Sequence, residues 1–241
     1  MTLLRSALFN LWLYVMSIVL LTLGGVAVAL VPGATGIGLA RLWARVVLAS
    51  ARAICGIRVS VHGLEHLPPN APALIASRHQ SAFDTVVWLT ILPHCCYVVK
   101  RELLRVPVFG QLLRPAGQIP VDRSGGAAAL RGLVREAAAA TAAGRQVVIF
   151  PEGTRADPGR MLPLQPGIAA IAARTGLPVI PVVTDSGRLW GRRAFHKHAG
   201  TIHIRLLPPL PPPGATPGAR GRLMRDLTEA LTADPEAGGP P

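Results

Sequence analysis

The sequence predicts an α/β fold, with a largely parallel sheet and flanking helices preceded by a pair of membrane-anchoring helices. Beyond residue 55, short apolar runs bounded by Pro, Gly or charged residues recur along the chain, which is typical of buried strands. Helical stretches lie between these runs, and strands that alternate with helices form a mostly parallel sheet. The amino-terminal part has neither pattern and is long, apolar and uncharged.

The amino-terminal segment has the character of a membrane anchor. No residue from Ser6 to Ala40 is charged, and Leu11–Val31 is almost wholly apolar, which meets the roughly 20 residues that a helix needs to cross a bilayer core. Leu39–Cys55 then places arginines among apolar residues, as in an amphipathic helix at lipid headgroups. A signal peptide is the alternative, but only Arg5 precedes the apolar segment and no clear small-x-small cleavage site follows. Whether the first helix crosses the membrane or pairs with the second inside one leaflet stays open.

We divide the chain into three parts on these patterns. Residues 1–55 form the anchor, residues 56–210 the α/β domain, and residues 211–241 a Pro-rich linker, a short helix and a disordered tail. The predicted strands are Arg58–Gly63, Ala73–Ala76, Tyr97–Val99, Gln118–Val121, Val147–Phe150, Val179–Val183 and Thr201–Leu207. The predicted helices are Thr85–Ile91, Ala127–Ala143, Gly167–Thr175 and, near the carboxyl end, about Arg220–Leu231.

Composition narrows the class of partner. Lys and Arg number 25 against 12 Asp and Glu, giving a formal charge of +13, which suits an anionic partner. Aromatic residues make up only 5% of the chain, so lipid is favoured over nucleic acid, although a generally basic proteome would also explain the charge. The thiols of Cys55, Cys95 and Cys96 form no disulfide framework and no zinc-site spacing. We therefore expect a reducing compartment and no metal.

The first candidate site is Arg78–Asp84, which lies between a predicted strand and a helix. If His79 occupies the turn before the helix, the Asp84 carboxylate can hold one tautomer of the imidazole and stabilise its charged form, which leaves the other ring nitrogen to take a proton. Ser81 and Asp84 also have the spacing of a capping box, with Ser81 as the N-cap. The sequence is compatible with a catalytic role and with a capping role for Asp84.

Other predicted strands end in residues that suit a phosphate. One runs into Pro151-Glu-Gly-Thr-Arg155 and another into Asp122-Arg123, and ligands of α/β proteins bind at the carboxyl ends of strands. Arginine can bind phosphate through two parallel hydrogen bonds, but surface ion pairs would explain both segments equally well. Lys100 also follows a strand. The uncharged strand around Val179–Val182 could line an acyl groove or be an ordinary core strand.

The order and spacing of these segments together resemble the four motifs of the glycerolipid acyltransferase family, in particular its bacterial 1-acyl-sn-glycerol-3-phosphate acyltransferases. The resemblance covers about residues 55–210, and the pairing of His-x4-Asp with Phe-Pro-Glu-Gly-Thr-Arg makes it specific. It implies that His79 is the general base and Asp84 its charge partner. The residues expected to bind or shape the acceptor site are Lys100, Arg123, Glu152, Gly153, Thr154 and Arg155, and those in the acyl-donor region are Val179, Ile180 and Pro181.

The resemblance implies transfer of a fatty acyl group from acyl-CoA or acyl carrier protein to the free hydroxyl of 1-acyl-sn-glycerol 3-phosphate, which gives phosphatidic acid. No redox cofactor or metal is expected. The expected partners are membrane lipids, the acyl donor and the lysophospholipid, with no nucleic acid, and the expected location is the cytoplasmic face of the inner membrane. The alternatives are an acyltransferase for another lysolipid, such as a lyso-ornithine lipid, or for glycerol 3-phosphate, and a non-catalytic adaptor that binds anionic lipid.

Three positions depart from the pattern of the family. Arg78 stands where many members have Asn or Lys, Pro120 where many have an aromatic residue, and Gln165 where Lys is common. The missing Lys removes a possible phosphate contact, so the identity of the acceptor stays open. The His79–Asp84 pair is intact, so the expected chemistry is unchanged.

Overall fold

The computed structural model of the chain describes residues 2–31, 35–105, 116–122, 125–192 and 195–235. The strands are β1 (Ile57–His62), β2 (Ala73–Ser77), β3 (Cys95–Lys100), β4 (Ile119–Val121), β5 (Gln146–Ile149), β6 (Val179–Thr184) and β7 (Gly200–Leu206). The helices are α1 (Thr2–Leu30), α2 (Gly36–Ser50), α3 (Phe83–Ile91), α4 (Gly126–Ala142), α5 (Gly167–Thr175), α6 (Ser186–Leu189) and α7 (Ala219–Ala230). A π-helical turn, Ala51–Cys55, extends α2, and short 3-10 helices lie at Leu64–His66 and Arg101–Arg105.

The seven strands form one sheet in the order β1-β7-β6-β2-β5-β3-β4. Neighbouring strands are parallel in every pair except β6 and β7. Each strand lies within two residues of its predicted bounds, because the Pro, Gly and charged residues that bound the apolar runs are poor at continuing a buried strand. The predicted, largely parallel α/β sheet is confirmed.

Successive residues of the central strands face two separate cores, as the pleat of a strand requires. On one face, Ile75 and Val148 are fully buried together with apolar residues of α2 and α3. On the other face, Leu74 and Val147 are fully buried together with residues of α4, α5 and α7. The sheet is thus covered on both sides, which leaves the ends of its strands as the place for a site.

The first two helices pair as an antiparallel hairpin. The indole N–H of Trp12 donates to Ser50 Oγ at 2.8 Å, and that of Trp43 donates to Ser17 Oγ at 2.9 Å. The amino-terminal part of α1 also contacts the α/β domain, because Phe9 is fully buried and its ring meets that of Trp190 edge to face, with centroids 5.1 Å apart. The hairpin is therefore fastened to the domain at the start of α1 and along α2, whose Ala44 and Val47 lie in the same core as Ile75.

The outer side of α1 remains uncovered. Within the described part of the chain, α1 is the helix that is long and apolar enough to cross a membrane. Its large apolar side chains that stay exposed are Leu3, Leu4, Leu8, Leu11, Trp12, Tyr14, Val15, Ile18, Val19, Leu23, Val26 and Leu30. Such a contiguous apolar surface is compatible with contact with lipid.

The carboxyl-terminal helix α7 packs on the α/β domain. Its residues Leu223 and Leu227 are buried in the same core as α5. The chain before it also joins the sheet, because the backbone of Leu210 exchanges hydrogen bonds with that of Val179, at 2.8 and 2.9 Å. This part of the chain therefore covers one face of the sheet.

The three cysteines are buried and carry free thiols. Burial raises the pKa of the Cys96 thiol to about 11 and raises the pKa of Cys95 further. Both thiols stay neutral at ordinary pH and pack as small apolar side chains, as the sequence predicts.

Candidate active site

The two main candidate segments meet at one edge of the sheet. β2 and β5 are parallel neighbours, with Ala76 opposite Ile149. His79 follows β2 and Glu152 follows β5, so both segments emerge at the carboxyl ends of adjacent strands. The main chain also joins them, because Ala156 N donates to His79 O at 2.7 Å. This is the location at which α/β proteins place their ligands.

His79 and Asp84 form a hydrogen-bonded pair. His79 Nδ1 lies 3.0 Å from Asp84 Oδ2, and the carboxylate is almost fully buried. The same oxygen accepts backbone N–H groups of Gln80 at 2.7 Å and Ser81 at 2.8 Å. Asp84 therefore both caps the turn and faces the imidazole, so the capping and charge-partner roles that the sequence allows are compatible in one carboxylate.

The imidazole of His79 is held in one orientation. Because a carboxylate can only accept, Nδ1 carries the proton of this bond and Nε2 of the neutral ring is left as an acceptor. One face of the ring stacks on Phe150, with centroids 4.1 Å apart and planes 19° apart. The His79 side chain is 12% exposed, so the ring is fixed by its neighbours but remains accessible at one edge.

The start of α3 differs slightly from the prediction. The residue before the helix is Ala82, one position after the predicted N-cap Ser81, and Ala82 offers no side-chain cap. Ser81 Oγ instead accepts the N–H of Phe83 at 3.1 Å. The Asp84 carboxylate completes the cap by bonding back to the N–H groups before the helix, so the difference leaves His79 in the predicted turn.

Glu152 faces inward and supports the histidine turn. Its side chain is fully buried, Oε2 accepts the backbone N–H of His79 at 3.1 Å, and Oε1 lies 3.3 Å from Arg78 Nε. Burial raises the pKa of Glu152, and the His79 N–H and the Arg78 guanidinium offset this only in part. Arg78 also donates to the carbonyls of Arg160 and Leu231. Arg78, which departs from the family pattern, therefore connects Glu152 to the loop after β5 and to the end of α7.

The other predicted acceptor residues lie further out. Gly153 has φ +70°, which a residue with a side chain would adopt only under strain, and Thr154 is exposed. Arg155 is half-buried, and its carbonyl accepts a hydrogen bond from Arg192. Lys100, at the end of β3, is about half exposed and pairs with Glu102 at 3.2 Å. Arg123 lies outside the described residues.

The predicted acyl-donor residues are in the core. Val179, Ile180 and Pro181 are buried in β6, which lies between β2 and β7. The structure therefore does not bring these three side chains to an open groove, and their link to the acyl donor stays a prediction from the resemblance. The loop after β6, in contrast, reaches the histidine turn, where Ser186 Oγ donates to Asp84 Oδ1 at 2.6 Å. Ser186 was not among the predicted site residues, because a single serine two residues after a strand has no distinctive spacing in the sequence.

Two cavities lie beside the edge strand β4, with volumes of about 390 and 480 Å³. Arg101 and Pro120 line both, and the first extends along α4. Asp122, which precedes Arg123 in a predicted phosphate segment, lines the first cavity, and the other predicted site residues that the structure describes line neither. Among the residues that the structure describes, no group of three or more His, Cys, Asp or Glu side chains could hold a metal ion.

Known proteins are similar to this chain in sequence and in fold. The profile of the acyltransferase family matches residues 58–185. The 1-acyl-sn-glycerol-3-phosphate acyltransferase of Pseudomonas aeruginosa is 36% identical over 181 residues, covering 75% of this chain and 70% of that protein. The human 1-acyl-sn-glycerol-3-phosphate acyltransferase alpha is 34% identical over 175 residues, covering 72% of this chain and 62% of the human protein. The chain thus matches less than two thirds of the human relative's length.

A solved structure has the same fold. The 1-acyl-sn-glycerophosphate acyltransferase of Thermotoga maritima superposes with a TM-score of 0.78, covering 96% of this chain and 95% of that one. The two sequences are 22% identical, so this likeness establishes the arrangement of the elements.

Proposed function

Because the chain belongs to the acyltransferase family and is an O-acyltransferase, we propose that it transfers a fatty acyl group from a thioester to the free hydroxyl of 1-acyl-sn-glycerol 3-phosphate, giving phosphatidic acid. The observation that carries this proposal is the His79 Nδ1–Asp84 Oδ2 hydrogen bond of 3.0 Å. It leaves Nε2 free to accept a proton at the carboxyl edge of the sheet. The relatives named above act on this class of acceptor.

His79 is the general base in this proposal. A hydroxyl is a poor nucleophile at neutral pH, and Nε2 removes its proton as the oxygen attacks the thioester carbonyl. Asp84 stabilises the imidazolium that forms and keeps the ring in place. When the carbon–sulfur bond breaks, the imidazolium returns the proton to the departing thiolate. The acyl group passes directly to the acceptor, with no acyl-enzyme.

The acyl donor is acyl-CoA or acyl carrier protein, used as a co-substrate without a redox cofactor or metal. The acceptor's phosphate binds at the carboxyl ends of β5 and β3, the two strands that follow β2 in the order of the sheet. Arg155 follows β5 and Lys100 ends β3, and adjacent parallel strands are roughly 4.8 Å apart. We assign Arg155 the main phosphate contact and retain Lys100 and Arg123 as further contacts.

A cycle of variants and acceptors tests the identity of the acceptor. Normal and Arg155→Ala protein are each assayed with lysophosphatidic acid, glycerol 3-phosphate and a lyso-ornithine lipid, and the products are identified by mass. An arginine–phosphate pair contributes roughly 1.5 to 3 kcal/mol, so Arg155→Ala should raise the KM for lysophosphatidic acid by roughly 10-fold or more. The normal protein should strongly prefer lysophosphatidic acid. An equal effect of the substitution on the phosphate-free lipid, or a preference for that lipid, would contradict the assignment.

The anchor hairpin places the enzyme on the membrane in our proposal, on the cytoplasmic face of the inner membrane. α2 is packed against the domain along its length, because Ala44 and Val47 lie in the core and Arg41 donates to Pro93 O at 3.4 Å, so it does not extend away from the domain across the bilayer. Both outer ends of the hairpin contact the domain, since Ser6 Oγ accepts the N–H of Lys197 at 2.9 Å and α2 leads into β1. The hairpin therefore enters and leaves the same leaflet.

Extraction experiments test this anchoring. We expect the full-length protein to stay on membranes at high salt, because embedded apolar surface is not screened. A chain lacking residues 1–38 should bind weakly, through Arg and Lys worth about 1 kcal/mol each, and should be released by salt. Release of the full-length protein by salt alone would refute the embedded helix. A cysteine introduced at Thr35 that reacts with an impermeant reagent only from the outer side would refute the single-leaflet arrangement.

A further inference from the structure

Ser186 completes the set of donors around the Asp84 carboxylate. β6 ends at Thr184, and Ser186 opens α6 with no exposed surface. Its hydroxyl donates to Asp84 Oδ1 at 2.6 Å, while the other oxygen of Asp84 accepts His79 and two backbone N–H groups. Building on the proposed function, we propose that Ser186 is a positioning residue for the catalytic pair, acting on His79 through Asp84.

The geometry makes this hydrogen bond a constraint on the carboxylate. The hydrogen bond between His79 and Asp84 Oδ2 stays linear only while the plane of the carboxylate is fixed. The bond from Ser186 to Oδ1 helps to fix that plane. A hydroxyl–carboxylate bond is among the short, strong, charge-assisted bonds. Ser186 is itself held, because its N–H donates to Thr184 Oγ1 at 3.1 Å. The orientation of Asp84 is thus set by Ser186 from outside the turn, in addition to the N–H groups of Gln80 and Ser81 within it.

A second contact ties the same loop to the histidine turn. The N–H of Gly187 donates to Gln80 Oε1 at 3.1 Å, and a Cβ at Gly187 would lie 3.0 Å from Gln80 Cβ. The adjacent residues Ser186 and Gly187 therefore both hold the turn after β2. Ser186 bonds to the side chain of Asp84, and Gly187 bonds to that of Gln80. This arrangement gives a role to the β6 region without requiring its buried strand residues to contact the acyl donor.

Ser186→Ala tests the proposal because it removes only the hydroxyl. We expect kcat to fall by roughly 10- to 100-fold, in line with the loss of a hydrogen bond to a charged group, while the KM values for acceptor and donor stay within about twofold. Ser186→Thr, which restores a hydroxyl, should recover part of kcat. The matched control is Ser77→Ala, since Ser77 is equally buried and its hydroxyl donates to Arg78 O at 3.1 Å. We expect near-normal kcat for that control.

Three kinetic results would overturn the proposal: near-normal kcat in Ser186→Ala, equal losses in Ser186→Ala and Ser77→Ala, or a change confined to KM. A measurement independent of turnover is the NMR resonance of the His79 Nδ1–H proton in histidine-labelled protein, identified by its absence in His79→Ala. Ser186→Ala should shift or broaden this resonance, and Ser77→Ala should not. An unchanged resonance overturns the proposal whatever the kinetics show. If the normal protein acylates no acceptor, the proposed function fails, and the resonance still decides the role of Ser186.

Discussion

Replacing His79 with Ala should lower turnover by roughly 100-fold or more, the usual contribution of a general base. In the proposed mechanism, Nε2 of the His79 ring takes the proton of the hydroxyl. Alanine leaves no basic atom at this position. Binding of the two substrates depends on other side chains, so their KM values should change much less than kcat. The assay measures thiol release and phosphatidic acid formation by the purified protein.

The control for this substitution is His62→Ala. His62 lies at the end of β1, far from β2 in the strand order, and its ring contacts Ser60 Oγ at 2.8 Å. We expect His62→Ala to keep nearly full turnover. We also expect both variants to remain folded and membrane-bound, because neither side chain contributes to the hydrophobic cores. Near-normal turnover in folded His79→Ala would remove His79 from the mechanism.

Asp84→Asn should also reduce turnover by a large factor, roughly 100-fold. The imidazolium loses its counter-charge, and an amide cannot accept on both sides as the carboxylate does. One side of Asp84 receives the His79 ring and two backbone N–H groups, and the other receives the Ser186 hydroxyl. The amide NH₂ must face one of these donors, so a loss of stability of roughly 1 to 3 kcal/mol should accompany the loss of turnover.

Asp185→Ala separates the two effects. Asp185 is similarly buried, and its Oδ1 accepts the N–H of His203 at 2.7 Å. Alanine leaves that N–H without this acceptor, so the variant should lose stability in thermal unfolding without a comparable fall in kcat. If Asp84→Asn lost stability and kept its turnover, Asp84 would be a helix cap and nothing more.

The sequence predicts the positions of the strands well, but it predicts less well which strands pair with each other in the sheet. The runs at Ala73–Ala76 and Val147–Phe150 are short, apolar and sharply bounded, so their bounds are predicted to within about a residue. The antiparallel pairing of β6 with β7, and the parallel pairing of β7 with β1, depend on contacts between distant parts of the chain. No local pattern encodes them. Helix α1 begins before the apolar segment Leu11–Val31 that the sequence marks, because its first turns are held by the packing of Phe9 against Trp190.

The site divides in the same way. His79, Asp84 and the Phe150–Arg155 segment could be predicted, since polar residues at the ends of adjacent strands converge. The direction of the Glu152 side chain could not, because its burial depends on Arg78, whose guanidinium also reaches the end of α7. Ser186 was missed because a single serine after a strand has no distinctive spacing. Its importance follows only from the three-dimensional contact with Asp84.

The most direct test of the proposed reaction is the stoichiometry of acyl transfer by the purified, full-length protein. Acyl thioester is mixed with the enzyme in the presence and absence of lysophosphatidic acid, and free thiol and phosphatidic acid are both counted. Direct transfer with His79 as base predicts no burst of thiol without acceptor and one phosphatidic acid for each thiol with it. A burst of thiol equal to the amount of enzyme in the absence of acceptor, or thiol release without phosphatidic acid, would contradict it.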